Sequence, residues 1–417
     1  MLLSLIITTL SCSSDNKEDD SSEINSPPME FNLGGIANNA INVDLLPTVS
    51  WNEAVDPEND VVSYSVLLDQ NETPSTVIAS DIDGISYNID NTLDRCTTYY
   101  WQIVASDGNE TTASEVFSFS TRNVSFSSPV VMENADFSIR FRQSGVIFKD
   151  RLWILAGFNP DNAYVNDVWS SDDGILWTEE ATNPAFLGRQ YHSTVVFDDK
   201  IWMIGGQLNG GESEVNSVWS STDGATWTAE NPVGESFSKR YGHTSVVFDN
   251  KIWVIGGFEY GSSTYKNDVW YTSDGVNWIE ASAETSFLGR FTHTTLVFNN
   301  KMWVIGGRDL QRMNDVWSSI DGITWIEETA NALFIERSSH SSVVFDDKMW
   351  VIGGVSMEGW KNDAWYSSDG VTWTQSVEDV VFAGTNRPTT VVFEDKIWII
   401  AGSSAEGGIL NTVGAFE

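Results

Sequence analysis

Two cysteines, Cys12 and Cys96, are all that 417 residues contain, and Cys12 lies in the first dozen. A disulfide framework and a thiolate metal cluster are thereby excluded. Histidine is nearly as scarce, with four copies and no pair at the spacing of a zinc site. Basic residues number 22 against 59 acidic ones, a formal charge of −37. So acidic a surface repels polyphosphates and anionic headgroups, so nucleic acid and direct membrane-surface binding are not expected. No apolar run reaches the roughly 20 residues of a spanning helix. There is no phosphate-binding glycine loop and no nucleophile elbow, and no cofactor is expected.

Aromatic residues are what the chain has in quantity, 12 % of it, with 19 tryptophans. Their spacing carries the fold. Lys251-Ile252-Trp253-Val254-Ile255-Gly256-Gly257 has close copies whose tryptophans stand at 153, 202, 303, 350 and 398. Each repeat of about 50 residues holds four short apolar runs, the period of a propeller blade. Pairs such as Asp249-Asn250 and Asn299-Asn300 supply the positive φ of two-residue hairpins. Trp253-Val254-Ile255 is apolar on both faces, as a strand sandwiched between neighbours must be. After Asn411-Thr412-Val413-Gly414 the last repeat lacks a fourth strand, and Val124-Ser125-Phe126 is expected to complete it and hide the open edge.

The double glycine, the aromatic third strand and the spaced fourth-strand tryptophan resemble the kelch repeat. The resemblance covers residues 123–417 and implies a six-bladed kelch-type β-propeller. Residues 29–122 alternate polar and apolar between turn clusters, which predicts a small antiparallel sandwich. Pro47 to Trp51, Leu93 with Tyr99, and Tyr100 to Ala105 resemble a fibronectin type III domain, with Tyr99 as its tyrosine corner and Trp51 in the core. The fold class is therefore all-β, a propeller preceded by a fibronectin III-like β-sandwich. Cys96 is expected to be a lone, partly buried thiol. Asp56, Glu58, Asn59 and Asp60 form either a calcium-binding turn or an ordinary acidic turn, and the second is favoured.

Met1 to Ser11 followed by Cys12 resembles a lipoprotein-type signal peptide, with Cys12 as the lipidated residue. An ordinary cleaved signal is the alternative. Residues 12–28 read as a disordered acidic tether. Ser13-Ser14-Asp15 resembles the export signal of Bacteroidetes-type surface lipoproteins, which implies an outer-membrane protein, lipid-anchored and facing outward, or else secreted or periplasmic. A monomer is expected.

Registering the repeats leaves few residues for chemistry. His192, His243, His293 and His340 share one position, replaced by Gln143 and Pro388, and read as structural. Arg140, Arg189, Arg240, Arg290 and Arg337 share another position, three residues earlier, with Arg387 displaced by two. They either grip a carboxylate or sulfate on one face or brace the blades, and bracing is favoured because it is repeated. The loops after the double glycines differ between repeats and place Tyr164, Tyr260, Tyr265, Arg308, Arg312 and Trp360 near one rim. Such residues suit stacking on sugars or anchoring a protein. The leading expectation is a non-catalytic surface protein that binds a glycan or protein partner on one propeller face. The alternatives are an enzyme resembling the kelch-type sialic acid epimerase, supported only by the arginines, and a scaffold subunit of an outer-membrane complex. A galactose-oxidase site is excluded because the repeats contain no cysteine.

Overall fold

The computed structural model describes residues 25–124, 130–161, 163–209, 214–377, 386–404 and 408–416. All regular structure in them is strand, and two compact units divide at Arg122 and Asn123.

In the first unit, alternation sets the layers. Thr98–Ser106 buries Tyr99, Trp101, Ile103 and Ala105 on one face and leaves the other half-exposed. Six strands form one sheet, in the order Ala40–Val43, Phe117–Thr121, Thr98–Ser106, Ser63–Asp69, Val77–Ile82, with Thr111–Ala113 alongside. Leu33–Gly34, Thr48–Trp51 and Ser86–Asn88 form the other. Trp51 lies in the shared core beside Tyr64, as expected. The Tyr99 hydroxyl accepts the Asp94 N–H at 3.1 Å, the corner bond foreseen for it. Cys96 differs from expectation: it is exposed, at φ 51° in a turn. Asp56 is buried and its Oδ1 accepts the N–H groups of Glu58 and Asp60, both at 2.9 Å, which is what an acidic turn does. Among the described residues, no three His, Cys, Asp or Glu are placed to hold a metal ion.

The second unit contains six four-stranded antiparallel sheets. Sheet 3 shows the pattern: Thr244–Phe248, Lys251–Glu259, Thr264–Thr272 and Ile279–Ser282 in order. Asp249 and Asn250 turn the first hairpin at φ 48° and 54°. Residues 252–257 of the second strand are all buried, because sheets pack on both sides of it. The first strands, Ser144–Phe148, Ser193–Phe197, Thr244–Phe248, Thr294–Phe298, Ser341–Phe345 and Thr389–Phe393, touch in succession, and the first touches the last. The sheets therefore form a closed ring of propeller type.

Closure is carried by two further contacts. The Asp-Gly turns of sheets 2 to 5 each lie on the tryptophan of the sheet before, so closely that a methyl on Gly322 would fall 2.1 Å from Trp253 Cζ3. Gly174 of sheet 1 takes the same seat on Trp398 of sheet 6. Sheet 6 gains its fourth strand from the start of the unit: Val130–Met132 pairs with Ile409–Phe416, with Val131 opposite Gly414. The completing strand thus comes six residues later than Val124-Ser125-Phe126. Val124 instead packs between sheets 5 and 6 with Trp350 and Phe416, and Ser125 and Phe126 lie outside the described residues.

Candidate ligand-binding face

The shared arginines sit where the chain enters each sheet, and the structure turns them inward. Arg140, Arg189, Arg240, Arg290 and Arg337 are at most 2 % exposed. Arg240 donates to the Gly256 carbonyl (2.9 Å) and forks onto Asp268 at 2.6 and 2.7 Å. Arg140, Arg290 and Arg337 do the same with Asp167, Asp315 and Asp363. Burial pushes the Asp268 carboxyl up, but the hydrogen bonds and charge of Arg240 outweigh it and hold the pKa below the usual value. A guanidinium so committed cannot also grip a ligand, so these four are corrected from ligand contacts to braces between the second and third strands, whereas Arg189 donates to the Gly205 carbonyl and Ser217 Oγ and meets no carboxylate among the described residues.

The histidines brace in the other direction. His243 Nε2 bonds Ser193 Oγ of the preceding sheet at 2.9 Å, and His192, His293 and His340 repeat this on Ser144, Thr244 and Thr294. All four are enclosed, and burial first, with the adjacent arginines, lowers their pKa, to about 3 for His243 and His340. They are neutral wall residues of the axial channel.

The mouth of that channel is made by the residue two beyond each arginine position: Arg142, Tyr191, Gly242, Thr292, Ser339 and Arg387. All six have left-handed φ, between 52° and 64°. Each donates its N–H to the carbonyl of its predecessor, from Tyr191 on Arg142 round to Arg142 on Arg387, at 2.8 to 3.4 Å. This closed girdle frames a recess of about 180 Å³, floored by Gln143, Pro388 and the imidazoles.

Cations gather here without counter-ions. Arg142 lies over Phe141 and Tyr191, at 4.4 and 4.6 Å, and donates to Gln190 Oε1 at 2.7 Å. Arg387, the neighbour of Arg142 in the girdle, lies 5.1 Å over the same Tyr191 ring and donates to Ser339 Oγ at 3.1 Å. Burial lowers the Arg387 pKa to about 10; Tyr191 opposes this, while Arg142, Arg308 and Arg312 lower it further. Arg308 lies 4.6 Å over Phe291, and Arg312 donates to Met357 Sδ at 3.1 Å. Among the described residues none of these four has a carboxylate within 4 Å, whereas Arg122, Arg140, Arg151, Arg240, Arg290 and Arg337 do.

The rim is uneven. The residue after each arginine position pairs with the one after each double glycine: Phe141 with Phe158, Gln190 with Gln207, Tyr241 with Phe258, Phe291 with Arg308. In sheets 5 and 6 the pairs shrink to Ser338 with Val355 and Asn386 with Ser403. Aromatic walls therefore stand over sheets 1, 3 and 4, a glutamine pair over sheet 2, and a lower sill of smaller residues over sheets 5 and 6. Tyr164 belongs to the wall, 5.4 Å from Phe158 and accepting Gln190 Nε2 at 2.9 Å. Tyr265 packs with Phe258 and Phe291, Tyr260 stands exposed at a loop tip, and Trp360 lies opposite Val355. Arg308 and Arg312 are thus brought into one electrostatic group with Arg142 and Arg387, but none of Tyr164, Tyr260, Tyr265, Arg308, Arg312 and Trp360 is among the residues lining the recess.

The sequence reading missed Arg142, Tyr191 and Tyr241. The signal was present: two residues past the constant arginine the repeats read Arg, Tyr, Gly, Thr, Ser, Arg, the variation of a functional surface. Arg387 is not a displaced member of the bracing set but occupies the position of Arg142.

A family model described as the KLHDC2/KLHL20/DRC7 kelch-repeats domain matches residues 103–285 and 242–417. No curated protein matches the chain. Among solved structures, that titled "Structure of YjhT" aligns over 68 % of this chain and 95 % of its own, at 16 % identity and a TM-score of 0.55. At that identity it speaks for the fold alone.

Proposed function

Because the chain belongs to the kelch-repeat family, we propose that it is a binding protein, with an acidic glycan as ligand, held at the mouth of the channel. The observation that carries this reading is two arginines without carboxylate partners lining one recess, Arg142 and Arg387, with Arg308 and Arg312 near enough to lower the Arg387 pKa further, in a chain of formal charge −37. Mutual repulsion and burial disfavour that arrangement, and a bound carboxylate or sulfate relieves both. Tyr191, Tyr241 and Tyr164 offer ring faces for stacking on sugars beside it. The epimerase alternative rested on the five shared arginines, four of which are committed to aspartates.

We read the six sheets as the blades of a kelch propeller over 123–417. The sandwich before it, 29–122, is read as fibronectin type III-like, supported by its strand order and the Tyr99 corner. Anchoring through Cys12 at an outward-facing bacterial outer membrane stays a proposal from sequence, as does the acidic tether of residues 12–28.

A glycan array on the full chain, followed by calorimetry on hits, tests the reading. Uronic-acid or sulfated glycans should bind, and Arg142→Ala with Arg387→Ala should weaken binding by about 100-fold, as loss of two charge-assisted contacts implies. Equal binding of neutral glycans, or capture of proteins only, would overturn it.

A further inference from the structure

Four sheets share one polar cell. In sheet 3 Asp268 takes both Arg240 nitrogens, and its Oδ2 also accepts Trp270 Nε1 at 2.9 Å. Asp167 serves Arg140 and Trp169 in this way, Asp315 serves Arg290 and Trp317, and Asp363 serves Arg337 and Trp365, with indole bonds of 2.7 to 2.8 Å. One carboxylate thus satisfies three donors in each cell.

Sheet 2 keeps the donors and drops the acid. Arg189 and Trp219 stand in register, but the third strand carries Ser217 where the siblings carry aspartate. Ser217 Oγ meets only Arg189 Nη1, at 3.1 Å. Trp219 Nε1 is enclosed with no partner, and Arg189 is 2 % exposed with no carboxylate near it among the described residues. Burial lowers the Arg189 pKa to about 10. Sheet 6 shows what happens when a cell is given up altogether: Thr412 and Gly414 replace acid and indole together, and the sequence has Thr385 at the arginine position. Sheet 2 has not been given up.

We propose that Arg189 and Trp219 form a binding site for a carboxylate supplied from outside the chain, seated where aspartate sits in the sibling cells. The siblings define the ligand chemistry. It is a planar anion whose two oxygens fork onto the guanidinium while one of them also accepts the indole N–H, as monatomic chloride cannot. They also define the approach, because the sibling carboxylates are 12 to 17 % exposed and open to solvent at one edge. The carboxylate enters and the rest of its carrier stays outside. This site is independent of the channel mouth.

Thermal unfolding of the full chain at pH 7 tests it, in sodium acetate against sodium chloride of equal ionic strength. Acetate should raise the melting temperature by about 2 °C over chloride. Ser217→Asp should melt higher than the native chain in chloride and lose the acetate increment. If Ser217→Asp does not fold, Asp315→Ser, which opens a second vacancy in sheet 4, should enlarge the increment. No acetate increment in the native chain overturns the proposal, and so does a Ser217→Asp variant that responds as the native chain does. An increment that vanishes in Arg142→Ala/Arg387→Ala, yet survives Ser217→Asp, assigns the anion to the mouth and overturns it too.

Discussion

His243 is held neutral by burial, with a folded pKa of about 3 against 6.5 for a free side chain. Below pH 6.5 the unfolded chain therefore binds a proton that the folded chain refuses. The stability due to this histidine is whole above pH 6.5 and is lost as pH falls towards about 3. Gln143 already fills the same position in sheet 1, donating to the Ile400 carbonyl at 3.0 Å. His243→Gln should accordingly remove about one proton from the pH-dependence of denaturant unfolding between pH 6.5 and 3; an unchanged slope would contradict the neutral assignment. Asp268→Ala should cost about 3–5 kcal/mol by denaturant unfolding, since it strands a buried guanidinium. Repetition made these bracing roles readable, because a residue present in nearly every repeat serves what every repeat needs. It hid Arg142 and Ser217, whose meaning lies in departing from the repeat. Only the bonding of Trp169 and its equivalents to aspartate reveals what Ser217 lacks.

At the scale of the strand, burial on both faces and the Asp-Asn type turns were legible because sandwiching and hairpin twist act on local sequence. The closing strand was legible in kind, from the missing fourth strand after Gly414, but not in place. Val124-Ser125-Phe126 and Val130 to Met132 are both apolar enough to pair, and nothing local chooses between them. The choice is made by the edge at Ile409–Phe416, nearly three hundred residues away in sequence. Deleting Val130–Met132 should lower the melting temperature of the full chain by more than about 5 °C, as an exposed edge and a broken ring together imply. Scanning fluorimetry showing an unchanged propeller transition would mean that closure rests on the other contacts between sheets 1 and 6, among them the Gly174 seat against Trp398 and the first-strand contact.

For the molecule as a whole, a charge of −37 sets the response to salt. The strongest ion pairs, such as Arg240 with Asp268, are buried and weakly screened, while the excess carboxylates repel one another across the surface. Raising sodium chloride from about 20 to 300 mM, which shortens the screening length several-fold, should raise the melting temperature; a fall would show surface ion pairs to dominate instead. The girdle at the channel mouth bears on how such a protein diversifies. Its six N–H groups and their carbonyl partners are bonded to one another, so the backbone offers the mouth no unspent donor. On the proposed reading, variation at the mouth falls to the side chains on a fixed frame, now Arg, Tyr, Thr, Ser and Arg, with Gly242 leaving one place bare. The frame asks only that each tolerate a left-handed turn, and positions 142, 191, 242, 292, 339 and 387 behave as interchangeable sockets. A mutational library confined to them could redirect the ligand while leaving the ring's hydrogen bonds intact, which makes the mouth the natural place for lineages, or engineers, to rewrite specificity.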